Sequence, residues 1–318
     1  MPQICAPATS EQQLREPWLA HRRVHHPESL AASWVCEVRA VPYHCAGLTD
    51  TAFCLRQNSK LAGSKFTTVD LMATVTTRTV QYQADGLTMA GHLALPAGDE
   101  RRPAVLLGPE GPGLSDVERR RAEALAELGY VALAFDLHGG QYLADPEAML
   151  ARCMPLLDDP SRMRDIGYAA LDVLRAEPRT DPGRIAAIGY GTGGAIALEL
   201  GRAGVDLRAI ATVNGLITGR PGEAARIRCP VWAGVGSEDP IMSAAKREAF
   251  ATEMQSAGLD WRLVVYGGAL HAFHHPPVDQ PVVPGVGYHA RHAQRAWRDV
   301  VELLGENLND EAKIIVGS

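Results

Sequence analysis

The chain has 318 residues, of which 46% are hydrophobic and 21% are charged, and its formal net charge is −6. These proportions are ordinary for a globular protein. An acidic balance argues against binding to nucleic acid or to an anionic membrane, because both require a basic face. No apolar run reaches the roughly 18 residues that suggest a membrane span, and the first residues lack a signal-peptide pattern. We therefore expect a soluble, cytoplasmic protein with no nucleic-acid or membrane partner.

Residues 1–71 show no sustained period of 2 or 3.6, which predicts an irregular and poorly ordered extension. Four of the six cysteines lie in this region, and we expect reduced thiols. A small zinc module is an alternative, although the region lacks the C-x-x-C spacing that structural zinc sites usually show. Its ligands would be Cys36, His44, Cys45 and Cys54. A regular pattern follows Met72, so the natural start of the protein could also be Met72.

Regular structure is predicted from residue 76 onward. Two alternating segments, 76–83 and 87–95, flank Asp85-Gly86, which is a hairpin turn signal. The apolar segment 104–107 reads as a buried strand, and the Gly- and Pro-rich residues 108–113 read as a loop. These patterns predict an antiparallel hairpin followed by the first strand of an α/β unit.

A helix is predicted after this loop, because Ser115 and Glu118 have the spacing of a capping box. Its apolar face would carry Val117, Ala124, Leu125 and Leu128. Gly129 would end it, and residues 130–135 would form the next strand.

Strands and helices alternate from there to the end of the domain. We predict strands at 185–188, 208–213, 231–235 and 261–266, helices at 146–157, 160–176, 243–257 and 290–304, and a turn at 178–183. Alternation of this kind indicates a mostly parallel, doubly wound sheet with helices on both faces, which is an α/β fold. One domain would span about 72–308, and the tail 309–318 would be frayed.

The central feature of this domain is the segment from 185 to 200. A buried apolar strand runs into the Gly-rich residues 189–194 and then into an apolar helix. This layout is that of a nucleophile elbow, whose pattern is G-x-nucleophile-x-G. Gly189 and Gly193 fit the flanking positions, since small residues allow the strand and the helix to approach closely. The middle position holds Gly191, so the elbow lacks a nucleophilic side chain.

Polar residues follow three of the other predicted strands. Glu110 follows strand 104–107, Asp239 follows strand 231–235 and His271 follows strand 261–266. In open α/β sheets the site lies at the carboxyl ends of the strands, and an imidazole base requires a carboxylate on one of its nitrogens. Asp239 and His271 are therefore the candidate catalytic pair. Alternatively, Asp239 caps the next helix and His271 is an ordinary loop residue.

Five motifs give the chain a resemblance to the dienelactone hydrolase family of the α/β-hydrolase superfamily. They are PEGPG at 109–113, AFDLHGG at 134–140, GYGTGG at 189–194, GSEDP at 236–240 and GGALHAFHHP at 267–276. The resemblance covers about residues 76–305 and implies the α/β-hydrolase fold.

The resemblance implies a catalytic set that is complete except for its nucleophile. Members of the family usually carry Cys in an elbow of the form G-Y-C-x-G-G, and that position is Gly191 here. The partners of the missing thiolate would be His271 and Asp239. Glu110 would be the family glutamate that helps to set the protonation of the thiolate.

The resemblance also implies where a substrate would bind. The oxyanion hole would consist of the backbone N–H groups of Gly111 and Thr192, directed at charge that develops on a carbonyl oxygen. Tyr190 and His275 would contact the substrate. His275 stands where the family usually has an arginine that binds a substrate carboxylate, so dienelactone itself is not the expected substrate.

We therefore expect a hydrolase of small esters or lactones in which His271 and Asp239 activate water, held at the Gly191 vacancy, without a cofactor. The protein would be a monomer or a homodimer. One alternative is a non-catalytic small-molecule-binding protein on the same scaffold. Another is a metal-dependent hydrolase, because imidazoles are common zinc ligands. Its ligands would come from His271, His274, His275, His289 and His292.

Overall fold

A computed structural model describes residues 74–309 except residues 216, 218 and 277–282. The chain divides into two units, Met1–Asp70 and Leu71–Ser318, and the described residues all belong to the second unit. The proposed zinc ligands between Cys36 and Cys54, the alternative start at Met72 and most of the tail lie outside the described residues. Among the described helices, none is long and apolar enough to cross a membrane.

The second unit is built on an eight-stranded sheet with the strand order β1-β2-β4-β3-β5-β6-β7-β8. The strands are β1 Thr76–Ala84, β2 Leu87–Leu95, β3 Arg102–Gly108, β4 Val131–Ala134, β5 Thr180–Tyr190, β6 Ile210–Val213, β7 Val231–Gly236 and β8 Trp261–Tyr266. β2 pairs antiparallel with β1 and with β4, whereas β3 to β8 pair in parallel. This is the predicted α/β-hydrolase class.

Helices cover both faces of the sheet. They are α1 Asp116–Glu127, α2 Pro146–Leu157, α3 Pro160–Ala176, α4 Gly191–Arg202, α5 Ala244–Ser256 and α6 Ala290–Leu308, with a short 3-10 helix at Glu223–Arg226. α1 and α6 pack on one face, and α2, α3, α4 and α5 pack on the other. The parallel strands are therefore buried on both sides, which accounts for their continuous apolar sequences.

The structure corrects the predicted turn at residues 178–183. β5 already begins at Thr180, which pairs with Arg102 of β3, and the next paired residues are Ile185 and Ala104. The extra residues on β5 form a bulge in the ladder, so that Pro and Gly at 182 and 183 are tolerated within a strand.

The predicted apolar face of α1 is also partly wrong. Leu128 is 52% exposed, whereas Val117, Leu125 and the charged Glu118 are buried. The capping box is present as predicted, because Glu118 accepts hydrogen bonds from the backbone and side chain of Ser115. α1 thus turns a carboxylate inward, and this carboxylate belongs to the surroundings of the site described below.

The elbow depends on close contact between backbones. A Cβ atom at Gly193 would lie 2.2 Å from the carbonyl carbon of Gly108, and one at Gly189 would lie 2.3 Å from the carbonyl carbon of Gly193. Only glycine fits at these positions, because the clashing atoms are main-chain atoms that cannot rotate away. The predicted reason for the flanking glycines is confirmed.

Candidate active site

Gly191 occupies the sharp turn between β5 and α4. It is the first residue of α4, and its φ is +47°. Residues other than glycine rarely adopt this left-handed conformation outside functional turns. β5 lies between β3 and β6 in the sheet, so this turn stands at the centre of the carboxyl edge.

The predicted vacancy at Gly191 is filled by the chain itself. A Cβ atom at Gly191 would lie 1.9 Å from Oε2 of Glu110, and 2.8 Å from the carboxyl carbon. Non-bonded carbon and oxygen atoms do not approach to 1.9 Å, so this carboxylate position and a side chain at residue 191 exclude each other. A carboxylate oxygen of Glu110 therefore stands where a nucleophilic side chain would begin, and the expectation that this position holds water requires correction.

The other oxygen of Glu110 is held by His274. His274 Nε2 lies 2.6 Å from Glu110 Oε1. On the opposite side of the ring, Arg121 Nη2 lies 3.0 Å from His274 Nδ1 and 2.9 Å from the carbonyl oxygen of His274. A guanidinium can only donate hydrogen bonds, so Nδ1 accepts and the ring proton is on Nε2. The imidazole of His274 thus donates to Glu110.

The charges of this pair follow from its surroundings. Burial raises the pKa of Glu110, but the hydrogen bond from His274 and the nearby imidazoles outweigh burial and hold the pKa below its usual range. Burial lowers the pKa of His274, and the charge of Arg121 lowers it further, against the raising effect of Glu110. At neutral pH Glu110 is therefore ionised and His274 is neutral.

Arg121 in turn is fixed by its own neighbours. Its guanidinium carbon lies 3.8 Å from the centre of the Tyr190 ring, and its Nη1 lies 3.8 Å from Glu118 Oε1. Tyr190 is only 3% exposed and also packs against the ring of His274, with centroids 4.4 Å apart. The buried ring of Tyr190 therefore supports the contact between His274 and Arg121. Its predicted contact with the substrate remains a prediction. His275 Nε2 lies 4.0 Å from Glu118 Oε1, so this histidine is placed beside a carboxylate.

His271 and Asp239 meet as the sequence predicts. Nδ1 of His271 lies 2.9 Å from Oδ2 of Asp239. Oδ1 of Asp239 accepts hydrogen bonds from the backbone N–H groups of Ile241 at 2.8 Å and Met242 at 3.1 Å. The following helix α5 is capped by Ser243 instead, so the alternative that Asp239 is its cap is wrong. The carboxylate is thus buried and held in one orientation. Nε2 of His271, on the other side of the ring, has no hydrogen bond within the described residues.

The surroundings of His271 favour its charged form. Burial lowers the pKa of His271, but the hydrogen bond and the charge of Asp239, together with the charge of Glu110, outweigh burial and raise the pKa above its ordinary value. Asp239 acts on one side of the ring, and Glu110 adds a second negative charge. An imidazolium formed during proton transfer would therefore be stabilised.

The backbone N–H groups of Gly111 and Thr192 lie near the elbow, and no hydrogen bond from either is found in the described part of the chain. The carbonyl oxygen of Gly111 is fixed by His138 Nε2 at 2.7 Å and by Cys153 Sγ at 3.2 Å. The Thr192 hydroxyl also hydrogen-bonds Cys153. Thr192 lies in the first turn of α4, where N–H groups have no intrahelical partner and attract negative charge. Burial raises the pKa of Cys153, so its thiol remains protonated.

The histidines of the proposed metal site have separate partners. His271 bonds Asp239, His274 bonds Glu110, and His292 Nε2 lies 3.2 Å from the carbonyl oxygen of Gly267. Across residues 74–309, leaving aside the gaps, no group of three or more His, Cys, Asp or Glu side chains could hold a metal ion. The metal-dependent alternative therefore has no ligand set in this part of the chain.

A cavity of about 430 Å³ lies beside the loop that carries Gly111. Its wall includes His138, Leu143 and Arg152, but neither Glu110 nor His271. His138 is 5% exposed, and its Nδ1 has no hydrogen-bond partner. The cavity thus offers room for part of a small molecule next to the loop, at some remove from the His271–Asp239 pair.

Sequence reasoning identified Glu110, Asp239 and His271 because each follows a strand. It placed His274 only among possible metal ligands and missed Arg121 altogether. The signal for Arg121 was indirect, because Glu118, three residues before it, belongs to a recognisable capping box. No local pattern links Arg121 to a histidine 153 residues away.

Comparison with known proteins gives consistent matches. The chain matches the dienelactone hydrolase family over residues 89–308, a range that includes every residue of the site. A relative from Bradyrhizobium sp., named a probable 2-oxo-3-(5-oxofuran-2-ylidene)propanoate lactonase, is 27% identical over 239 residues, covering 71% of this chain and 92% of the relative.

Two solved structures are similar in both sequence and fold. The dienelactone hydrolase-like promiscuous phosphotriesterase P91, from metagenomic libraries, is 33% identical with a TM-score of 0.71, and the match covers 74% of this chain and 99% of P91. The protein m3DLH is 36% identical with a TM-score of 0.70, and the match covers 74% of this chain and 99% of m3DLH.

Proposed function

The chain belongs to the dienelactone hydrolase family and is a hydrolase of carboxylic esters or lactones, and we propose that water, rather than a side chain, attacks its substrate. The observation that carries this proposal is the contact between His271 Nδ1 and Asp239 Oδ2 at 2.9 Å, beside an elbow whose central residue is glycine. A base is present and oriented, whereas the nucleophile that it would normally serve is absent.

The reaction then proceeds through a single tetrahedral intermediate, without an acyl-enzyme. Nε2 of His271 removes a proton from a water molecule, and the water oxygen bonds to the carbonyl carbon. The N–H groups of Gly111 and Thr192 stabilise the oxyanion that forms. When the bond to the leaving oxygen breaks, the imidazolium returns its proton to that oxygen. An ester yields an acid and an alcohol, and a lactone yields a hydroxy acid.

The charges near the elbow bear on the substrate. His275 stands where the resemblance places a carboxylate-binding arginine, and it lies beside Glu118. Arg121 is the nearby cation, but its guanidinium is engaged by His274, Tyr190 and Glu118. We therefore propose a small ester or lactone without a carboxylate of its own as the substrate.

The proposal is tested by measuring kcat/KM for hydrolysis of a small aryl ester by the His271→Ala variant. A positioned general base contributes about 10²- to 10⁴-fold to rate, so we expect kcat/KM to fall by that factor. Asp239→Asn should also lower kcat/KM by about 100-fold or more, because an amide can hold the wrong tautomer of His271. His92→Ala is a matched control, since His92 pairs with Glu123 away from the elbow. Equal rates for all four proteins would contradict the proposal and favour the binding-protein alternative.

A further inference from the structure

We propose that Glu110 is the group that binds the attacking water, with Oε2 in the place of the elbow nucleophile and the water between Oε2 and Nε2 of His271. This inference rests on the proposed function and adds a catalytic residue to it. Glu110 then has a different task from the family role that the sequence implies, because there is no thiolate here whose protonation it could set.

The first step in the argument is space. Oε2 of Glu110 lies 1.9 Å from the Cβ position of Gly191, so a side chain at residue 191 and the observed position of Glu110 exclude each other. The absence of a side chain at Gly191 is what allows the carboxylate to enter the elbow. The polar atom at the turn of the elbow is therefore a carboxylate oxygen that the chain delivers from the loop after β3.

The second step concerns the hydrogen bonds of the two carboxylate oxygens. Oε1 receives the N–H of His274 at 2.6 Å, and Arg121 fixes the tautomer of that histidine. Among the described residues no hydrogen bond reaches Oε2, although Glu110 is only 8% exposed. Solvent can reach Oε2, which is not one of the fully buried side-chain atoms without a hydrogen-bond partner. A water molecule at the elbow therefore donates the first of its two protons to the free lone pairs of Oε2.

The third step concerns charge. Glu110 is ionised, and its negative charge acts on His271. The charged groups that act on His271 are Asp239 through Nδ1 and Glu110 by its charge. The free Nε2 of His271 accepts the second proton of the water, and both carboxylates stabilise the imidazolium that results. Glu110 keeps the first proton hydrogen-bonded but does not remove it, since its own pKa is held low.

Glu110→Gln tests this role while keeping the size of the side chain and an oxygen for His274. We expect kcat/KM for a neutral aryl ester to fall about 10- to 100-fold, because a hydrogen bond to a charged group is lost. The acid limb of the kcat/KM–pH profile should move to lower pH, since removal of the negative charge lowers the pKa of His271. Glu123→Gln, which alters the pair with His92, is the matched control and should leave both quantities unchanged.

Gly191→Ala provides a second test that leaves Glu110 in the sequence. The added methyl group forces Oε2 out of the elbow without supplying a nucleophile. We expect a loss of kcat/KM similar to that of Glu110→Gln, and little further loss when the two changes are combined, because both remove the same contact. Urea unfolding of each variant shows whether the fold is intact before activities are compared.

The outcomes separate this inference from the proposed function. Unchanged kcat/KM and an unchanged acid limb in Glu110→Gln and Gly191→Ala, while His271→Ala is inactive, would overturn the inference and leave the proposed function in place. An acyl adduct on Glu110, found by mass spectrometry of quenched wild-type protein, would overturn both this inference and the proposed function, because a side chain and not water would then be the nucleophile. Full activity of His271→Ala would instead overturn the proposed function.

Discussion

At the scale of single residues, the geometry of the site depends on two residues, Gly191 and Glu110. Gly191 provides the space, and the carboxylate of Glu110 fills it. A side chain restored at residue 191 would meet the end of a flexible side chain rather than backbone, so the carboxylate can swing away. Movement of the carboxylate would break the hydrogen bond between His274 and Glu110, but it would not require the backbone of the elbow to rearrange.

Gly191→Cys and Gly191→Ser should therefore gain a covalent route. The new Sγ or Oγ would lie near His271 and the N–H groups of Gly111 and Thr192, and attack on an activated ester would leave an acyl-enzyme. We expect a pre-steady-state burst that the wild type lacks, larger for Cys because a thiolate is stabilised beside histidine. Gly191→Ala is the control without a nucleophile. If Cys and Ser variants fold and bind the ester but show neither burst nor adduct, the remaining residues do not support acyl transfer.

Residue identities at strand ends could be predicted from the sequence, but their partners could not all be predicted. Asp239 and His271 follow adjacent parallel strands, β7 and β8, whose carboxyl ends must meet at one edge, so their contact was a consequence of topology. The contact between Glu110 and His274 was not, because it depends on the absence of a Cβ atom at residue 191. The sequence shows that absence, but not which side chain takes the space.

At the scale of elements, the elbow is a contact between main chains. The first turn of α4 lies against β3 and β5, and a Cβ atom at Gly193 would lie 2.2 Å from the carbonyl carbon of Gly108. The N–H of Gly193 also donates to the carbonyl oxygen of Pro109 at 2.8 Å, which ties α4 to the loop that carries Glu110. Close approach of these elements thus positions Glu110 and the two unpaired N–H groups together.

Gly193→Ala should destabilise the protein strongly. Overpacking usually costs about 1–3 kcal/mol, and here the clash is with backbone, so we expect about 3 kcal/mol or more in the free energy of unfolding. Gly305→Ala is the matched control, because Gly305 lies in α6 with no heavy atom near its Cβ position. There alanine should stabilise by up to about 1 kcal/mol through its helix propensity. Urea unfolding midpoints, compared at constant m-value, check both variants against the wild type. A Gly193→Ala midpoint equal to that of the wild type would show that the elbow can relax.

Element boundaries were predictable where caps and turns carry specific chemistry. α2 begins after Asp145 and α3 after Asp159, and each starts with proline, as such helices commonly do. Predictions failed where tertiary pairing overrides local preference. β5 continues through Pro182 and Gly183 because its first residue pairs with β3, and α1 buries Glu118 rather than Leu128 because the inward carboxylate faces Arg121 and His275.

At the scale of the whole molecule, the site draws on residues spread over more than half of the chain. Glu110 follows β3, Gly191 follows β5, Asp239 follows β7 and His271 follows β8, and these strands are all parallel members of one sheet. The complete site therefore exists only when these four strands are in place. β3 and β5 lie side by side, although Arg102 and Thr180, which form their first pair, are 78 residues apart in the sequence. The connection between them contains α1, β4, α2 and α3.

A chain that begins at Met72 should keep both the stability and the activity of the full chain. All eight strands of the sheet, the six helices α1–α6 and both apolar clusters lie within residues 74–308 of the described structure, and the region before Met72 lacks the periodicity of a packed element. We expect the thermal midpoint to stay within about 1–2 °C, less than the roughly 2–4 °C that 1 kcal/mol would shift it in a domain of this size. Aryl-ester hydrolysis should remain sensitive to His271→Ala in the shortened chain. A much larger drop in the midpoint would show that residues before Met72 pack against the domain, and an unchanged midpoint with lost activity would show that they contribute to the site.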